Sequence, residues 1–351
     1  MANTLTEQAI EPILRDPAWL PHAYDVATDA LTFAYLPREK QRPATFLFDD
    51  KLGEVRKSAP IPLNALPLDR IRAEARPIHF IFHTGYCCST LLCRALDVPG
   101  VSMALKEPQI MYAISEPVLA GKDVERRLNA LGVILDLMSR GLTPGETQII
   151  KSTYTDIALV EPILESRPST RALFLHGPLS EFLRSVAKRG LHGRANMRGL
   201  YERLSQKIAL PTGYTAVDLF RQTDLQISAM NWLMQIARYQ QLAQRYEPSG
   251  RVRTLSADQL LANKGQSLKK LAVHFGLNTE ASKWDAIAAG PAFKENAKRP
   301  GEAYNDAARA REQASLAAAH GKEIDMVSTW LDAVAKHCGA NVNLGDTLLN
   351  G

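Results

Sequence analysis

The run Ile78-His-Phe-Ile-Phe-His-Thr-Gly-Tyr-Cys-Cys-Ser-Thr-Leu-Leu-Cys-Arg-Ala-Leu96 joins an apolar strand to an amphipathic helix through small residues, Gly85, Cys87, Cys88 and Ser89. Backbone N–H groups in such a turn lack a strand or helix partner, and with the positive end of a helix dipole they form a concave anion site. The same segment also serves as an ordinary βα turn in any parallel sheet. A Walker A loop is excluded, because Cys88 rather than Lys precedes Ser89. No GxSxG elbow occurs in the chain, so a nucleophilic serine of that type is excluded as well.

A second chemical feature is a concentration of positive charge. The chain of 351 residues holds 42 Lys and Arg against 37 Asp and Glu, a net +5. Residues 1–175 hold 19 of those bases and 21 of the acids, leaving 23 and 16 for the rest. Between Arg184 and Lys207 lie seven bases (Arg184, Lys188, Arg189, Arg194, Arg198, Arg203, Lys207) and one acid, Glu202. Such a run is either a solvated helical face or the wall of an anion site.

Other chemistry-bearing types have plainer readings. His79 and His83 sit on one strand about 13 Å apart at ~3.3 Å per residue, too far to share a metal. Cys87, Cys88 and Cys93 lack CxxC spacing and Cys338 is remote, so no metal or disulfide framework is expected. At a helix N-terminus, Cys87 or Cys88 is nevertheless expected to have a lowered pKa and to be oxidisable. With 7% aromatic residues and no aromatic-basic alternation, nucleic acid is not expected as a partner. The charge-free run Pro77 to Cys93 is too short and too polar to span a bilayer. The first ten residues have no secretory pattern, so the expected location is cytoplasmic.

The elements that must position these residues follow from periodicity. Short apolar runs at Ile78 to Thr84, Val101 to Leu105, Thr147 to Lys151, Arg171 to His176 and Val252 to Leu255 read as five parallel strands buried on both faces. Between them, Thr90 to Leu96 and Val124 to Met138 read as helices, and Leu225, Ala229, Trp232, Ile236, Tyr239 and Ala243 form one helical stripe. A last helix is expected around Ile324, Val327, Leu331 and Val334, preceded by an Ala-rich helical stretch from Ala307 to Ala319. Residues 1–75 are punctuated by eight prolines and read as an extension of unknown role, in which Leu31 to Leu36 pairs with Thr45 to Phe48 as a hairpin. The expected architecture is a three-layer α/β P-loop-like domain over 76–351 with a parallel sheet of about five strands, behind this Pro-rich extension.

In this order the motifs resemble those of the sulfotransferase superfamily over roughly residues 76–300. Tyr86-Cys87-Cys88-Ser89-Thr90 falls on that family's 5′-phosphosulfate loop. Lys106-Glu107-Pro108 is similar to its acidic-Pro element, and Ile150-Lys151-Ser152 to the strand end whose Lys lies near the transferred group. Arg171 to Ser185 resembles the second signature, whose Arg and Ser contact the 3′-phosphate; here those positions are His176 and Ser185. Phe293 to Gly301 resembles the late basic-Gly segment, through Lys298, Arg299 and Gly301.

The resemblance implies a co-substrate, 3′-phosphoadenosine 5′-phosphosulfate (PAPS), no metal, and in-line transfer of a sulfuryl group to the hydroxyl or amine of a small-molecule acceptor. It implies PAPS contacts from Gly85, Tyr86, Cys87, Cys88, Ser89, Thr90, His176, Ser185, Lys298, Arg299 and Gly301. It also makes Glu107 the base and Lys151 the group that steadies the sulfuryl oxygens. The sequence departs from the family at Tyr86 and His176, where a cation is usual, and at Thr153, where cytosolic members place a His base. Removing one electrostatic donor of this kind costs about 2.7–4 kcal/mol of barrier in other enzymes. Two alternatives therefore stand beside transfer: a non-catalytic nucleotide-binding or interaction protein, and, less favoured, a nucleoside-triphosphate phosphotransferase. Arg189, Arg194 or Arg198 is expected to supply the missing charge. The acceptor pocket is expected in the segments Ile110 to Val118 and Leu191 to Pro211.

Overall fold

A computed structural model describes residues 7–295 and 306–350. Five strands form one parallel sheet in the order β5-β6-β4-β7-β8: β4 (Ile78–His83), β5 (Ser102–Lys106), β6 (Thr147–Lys151), β7 (Ala172–His176) and β8 (Val252–Ser256). All five expected strands are present, each within a residue of its expected bounds. Alternation along them divides the core between two faces. Phe80, Phe82, Leu105, Ile150 and Phe174 face one layer, and Ile81, Ala104, Ile149, Leu173, Leu175 and Leu255 face the other. Burial on both faces explains why these runs are continuously apolar rather than alternating.

The helix Asp224–Tyr246 backs the first layer, with the whole expected stripe from Leu225 to Ala243 buried. It starts at a capping box in which the Thr223 side chain accepts from the Gln226 amide and the Gln226 side chain accepts from the Thr223 amide. The C-terminal helix runs Asp306–Cys338 and buries Ile324, Val327, Leu331 and Val334. Among the described residues no helix is long and apolar enough to cross a membrane.

The N-terminal region departs from the hairpin expected of it. Strand β2 (Ala30–Tyr35) pairs antiparallel with β1 (Trp19–Asp25) and with a short β3 (Ile61–Pro62). Thr45 to Phe48 is not a strand, because Leu47 is engaged elsewhere: its amide donates to Lys106 O (2.9 Å), and its carbonyl accepts from Gln109 N (3.2 Å). Trp19, Leu31 and Phe33 belong to the same core as Phe80 and Phe174, so the first 75 residues close one face of the sheet. The two segments expected to be acceptor loops are mostly helical: Gln109–Leu119 contains the first, and Gly190–Ser205 takes up most of the second.

Candidate functional site

The sheet order places the switch of chain direction at β4, with β6 on one side and β7 on the other. Ligands of open α/β sheets bind beyond the C-terminal strand ends at such a point. The turn after β4 has the backbone of an anion cradle. Gly85, Tyr86 and Cys88 all have positive φ (83°, 53° and 63°). Of the five non-glycine residues with positive φ among the described residues, Tyr86, Cys88 and Glu107 lie at these strand ends. Left-handed conformations at bulky residues are costly and gather where function holds them.

Contacts from both neighbouring strands and the long helix fix the turn. Gly85 donates its amide to His83 Nδ1 (2.9 Å), and His83 Nε2 donates to Ser152 O (2.8 Å). Because one partner is an N–H and the other a carbonyl, the imidazole is the neutral Nε2-protonated tautomer. That ring joins the turn to the residue after Lys151. From the other side, a Cβ on Gly177 would meet Cys87 Cβ at 3.3 Å, so the end of β7 lies close against the turn and a larger residue there would have to shift it by a few tenths of an ångström. Trp232 Nε1 donates to Gly177 O (2.9 Å), and Tyr239 Oη to His83 O (3.3 Å), holding both strand ends from the long buried helix.

One cation of the basic run reaches this turn. The ring of Tyr86 meets Phe182 edge-on, centroids 5.5 Å apart, and Arg189 Cζ lies 5.1 Å from the Tyr86 centroid. Ser185 lies three residues after Phe182 and four before Arg189 on one helix, Leu179–Lys188 and its cap. It therefore shares the helix face that looks at Tyr86. The other arginines of the basic run are paired away from it: Arg194 with Glu323, Arg198 with Asp224, and Arg203 with Glu116. Arg184 pairs with Glu181.

Glu107 and Lys151 are brought together. Lys151 Nζ donates to Glu107 Oε1, Glu107 N donates to Lys151 O (2.8 Å), and Phe46 lies 4.9 Å beneath the ammonium. Lys151 is buried, and the Glu107 side chain is 16% exposed. The N-terminal region thus supplies one wall of the pair. His176, by contrast, uses Nε2 to donate to Gly345 O (3.0 Å), and burial lowers its pKa despite that bond. It is neutral near pH 7 and turned toward the C-terminal segment.

Burial corrects the expectation of a reactive thiol at Cys87. Cys87 is fully buried and pushed up to about 12, with Sγ donating to Leu175 O at 3.5 Å. Cys93 is likewise held at about 12. Ser89 and Thr90 are buried at the start of the helix Ser89–Ala95. Lys298, Arg299 and Gly301 lie outside the described residues. Sequence reasoning missed the roles of His83, Phe46 and Gly177. The one signal for His83 was a polar ring at the C-terminal end of a buried strand.

No family model and no curated protein sequence matches the chain. Among solved structures it is similar to a sulfotransferase domain from the curacin biosynthetic pathway, 13% identical over 76% of this chain and 99% of that one, with a TM-score of 0.43. It is also similar to a sulfotransferase from Alicyclobacillus acidocaldarius, 15% identical over 59% of this chain and 83% of that one, with a TM-score of 0.37.

Proposed function

We propose that the chain binds PAPS at the turn after β4 and transfers its sulfuryl group to a hydroxyl or amine of a small acceptor. The observation that carries this reading is the Tyr86–Arg189 stack beside the positive-φ turn, which returns a cation to the loop position where the sequence lacks one. The donor set fits a nucleotide with phosphate groups: backbone amides of a concave turn, a guanidinium, and Ser185 between Phe182 and Arg189. When bound, PAPS supplies the activated sulfuryl group.

The chain's own residues do the rest. Glu107, partly open to solvent, accepts the acceptor's proton. Lys151 orients Glu107, and offers its ammonium to the oxygens at the reacting centre. His83 keeps the turn and the Lys151 strand end at a fixed separation. Incubation with PAPS and a panel of hydroxyl and amine acceptors, followed by measurement of adenosine 3′,5′-bisphosphate release, tests this reading. Acceptor-dependent release supports it, and tight PAPS binding with no release across the panel supports the rival.

That rival is a nucleotide-binding protein without transfer. One observation favours it: His176, at the position of a signature arginine, is neutral and committed to Gly345.

A further inference from the structure

A cleft of about 580 Å³ runs outside β5, the edge strand of the sheet. Its floor is apolar, with Ala104 and Ile287 among its residues, and Arg42, Arg94, Lys106 and Lys283 line it. Lys106 is the anomaly. It is 5% exposed, and its Nζ donates to one backbone carbonyl, Arg42 O (2.8 Å). Among the described residues no carboxylate lies within ion-pair distance of it. The register places Lys106 directly opposite Lys151 across β5 and β6. The nearby Glu107 pairs with Lys151, and Asp97, the acid lining the cleft, pairs with Arg38 and Arg42.

Lys106 and Lys151 are register partners, but the carboxylate beside them pairs with Lys151 and Lys106 is left with a carbonyl; a buried charge without a counter-ion is costly. We infer that the cleft outside β5 binds an amphiphilic anion, its carboxylate, sulfate or phosphate head on Lys106 and its apolar body along Ala104 and Ile287. The head group meets Lys106 from the side opposite Arg42 O, and Lys283 at the exposed rim draws it in by charge. Lys106 would hold such a head whether or not the turn after β4 binds PAPS. An apolar floor with a few charged groups that fix orientation is the common form of a small-molecule site.

The test is calorimetric titration of the full chain with octanoate, octyl sulfate and octyl phosphate below micelle formation, with octanol as the neutral comparison. We expect at least one of the three anions to bind about tenfold or more tighter than octanol. Lys106→Met should remove that preference. Lys283→Glu, at an exposed position that does not affect folding, should weaken the anion without changing octanol. The order of the three anions then identifies the head group. Equal binding of octanol and all three anions overturns the proposal, as does an anion affinity unchanged by both substitutions.

Discussion

The guanidinium of Arg189 stacks on the ring of Tyr86, 5.1 Å from its centre, and brings one cation of the Arg184 to Lys207 run to the turn after β4. Seven bases lie between Arg184 and Lys207, yet Arg194, Arg198 and Arg203 are held by carboxylates elsewhere. Arg189→Ala is predicted to weaken binding of adenosine 3′,5′-bisphosphate about 10- to 150-fold, the equivalent of a charge-assisted hydrogen bond of about 1.5–3 kcal/mol. Arg198→Ala, which removes a partner of Asp224 and of Gln222 O, should leave nucleotide affinity unchanged. Isothermal titration of both variants separates the two roles.

Arg189 reaches Tyr86 because the chain kinks there. A Cβ on Gly193 would fall 2.4 Å from Arg189 Cβ and 3.0 Å from Val186 O, so the substitution forces the Arg189 stem aside. Gly193→Ala is therefore predicted to lose about 1–3 kcal/mol of stability. It should lose nucleotide affinity along with it, which paired denaturation and titration measurements would register. Unchanged affinity in a destabilised variant would detach Arg189 from the site.

Glu107→Gln is predicted to lower turnover about 10²- to 10⁴-fold while leaving nucleotide affinity intact, because it removes the base and keeps the shape. Breaking a buried pair from one side costs about 3–5 kcal/mol, and replacing both partners with apolar groups recovers much of that. The double variant Glu107→Met, Lys151→Met should accordingly be more stable than either single Met variant and have no turnover. Full turnover in Glu107→Gln, measured by product release, would show the base assignment to be wrong.

His83→Ala leaves the Gly85 amide and the Ser152 carbonyl without their partner. Each orphaned buried group costs about 1–3 kcal/mol. The effect on the site should exceed the effect on the fold: the KM for PAPS rises even at temperatures where the variant is fully folded. Rescue of KM by imidazole would tie the change to the missing ring.

Much of this site was legible as strand ends. Continuous apolar runs located all five strands, and the small residues Gly85, Cys87, Cys88 and Ser89 located the turn, because both signals are local. The N-terminal region was misread, since Leu47 is held by Lys106 and Gln109, contacts that no periodicity announces. The same is true of Phe46 under Lys151 and Gly177 against Cys87, which depend on distant segments meeting. The charge run was visible, but which of its arginines faces the turn depends on ion pairs to Asp224, Glu323 and Glu116.

Acid should destabilise the fold in a defined window. His79 and His274 are buried and held down to about 4, the first by desolvation and then by its charged neighbours, the second by desolvation. Unfolded, they titrate near 6.5, so between about 6.5 and 4 the unfolded chain takes up protons that the native one refuses, and stability falls. Asp156 acts in the opposite sense. It is raised by burial to about 6, so below that pH the native state holds a proton that an unfolded Asp gives up until about 3.9. Denaturant midpoints should fall from pH 7 to pH 4.5, and fall more steeply in Asp156→Asn, which lacks this compensation. Equal slopes in the two proteins would contradict the assignment.

The central claim is that the turn at Gly85 to Cys88, with Arg189, receives a 3′-phosphorylated adenosine nucleotide. Thermal unfolding in the presence of adenosine 3′,5′-bisphosphate, PAPS, or ATP with magnesium tests it most directly. The account predicts a raised Tm with the first two and a smaller rise or none with ATP and magnesium. No stabilisation by either 3′-phosphorylated nucleotide would contradict it.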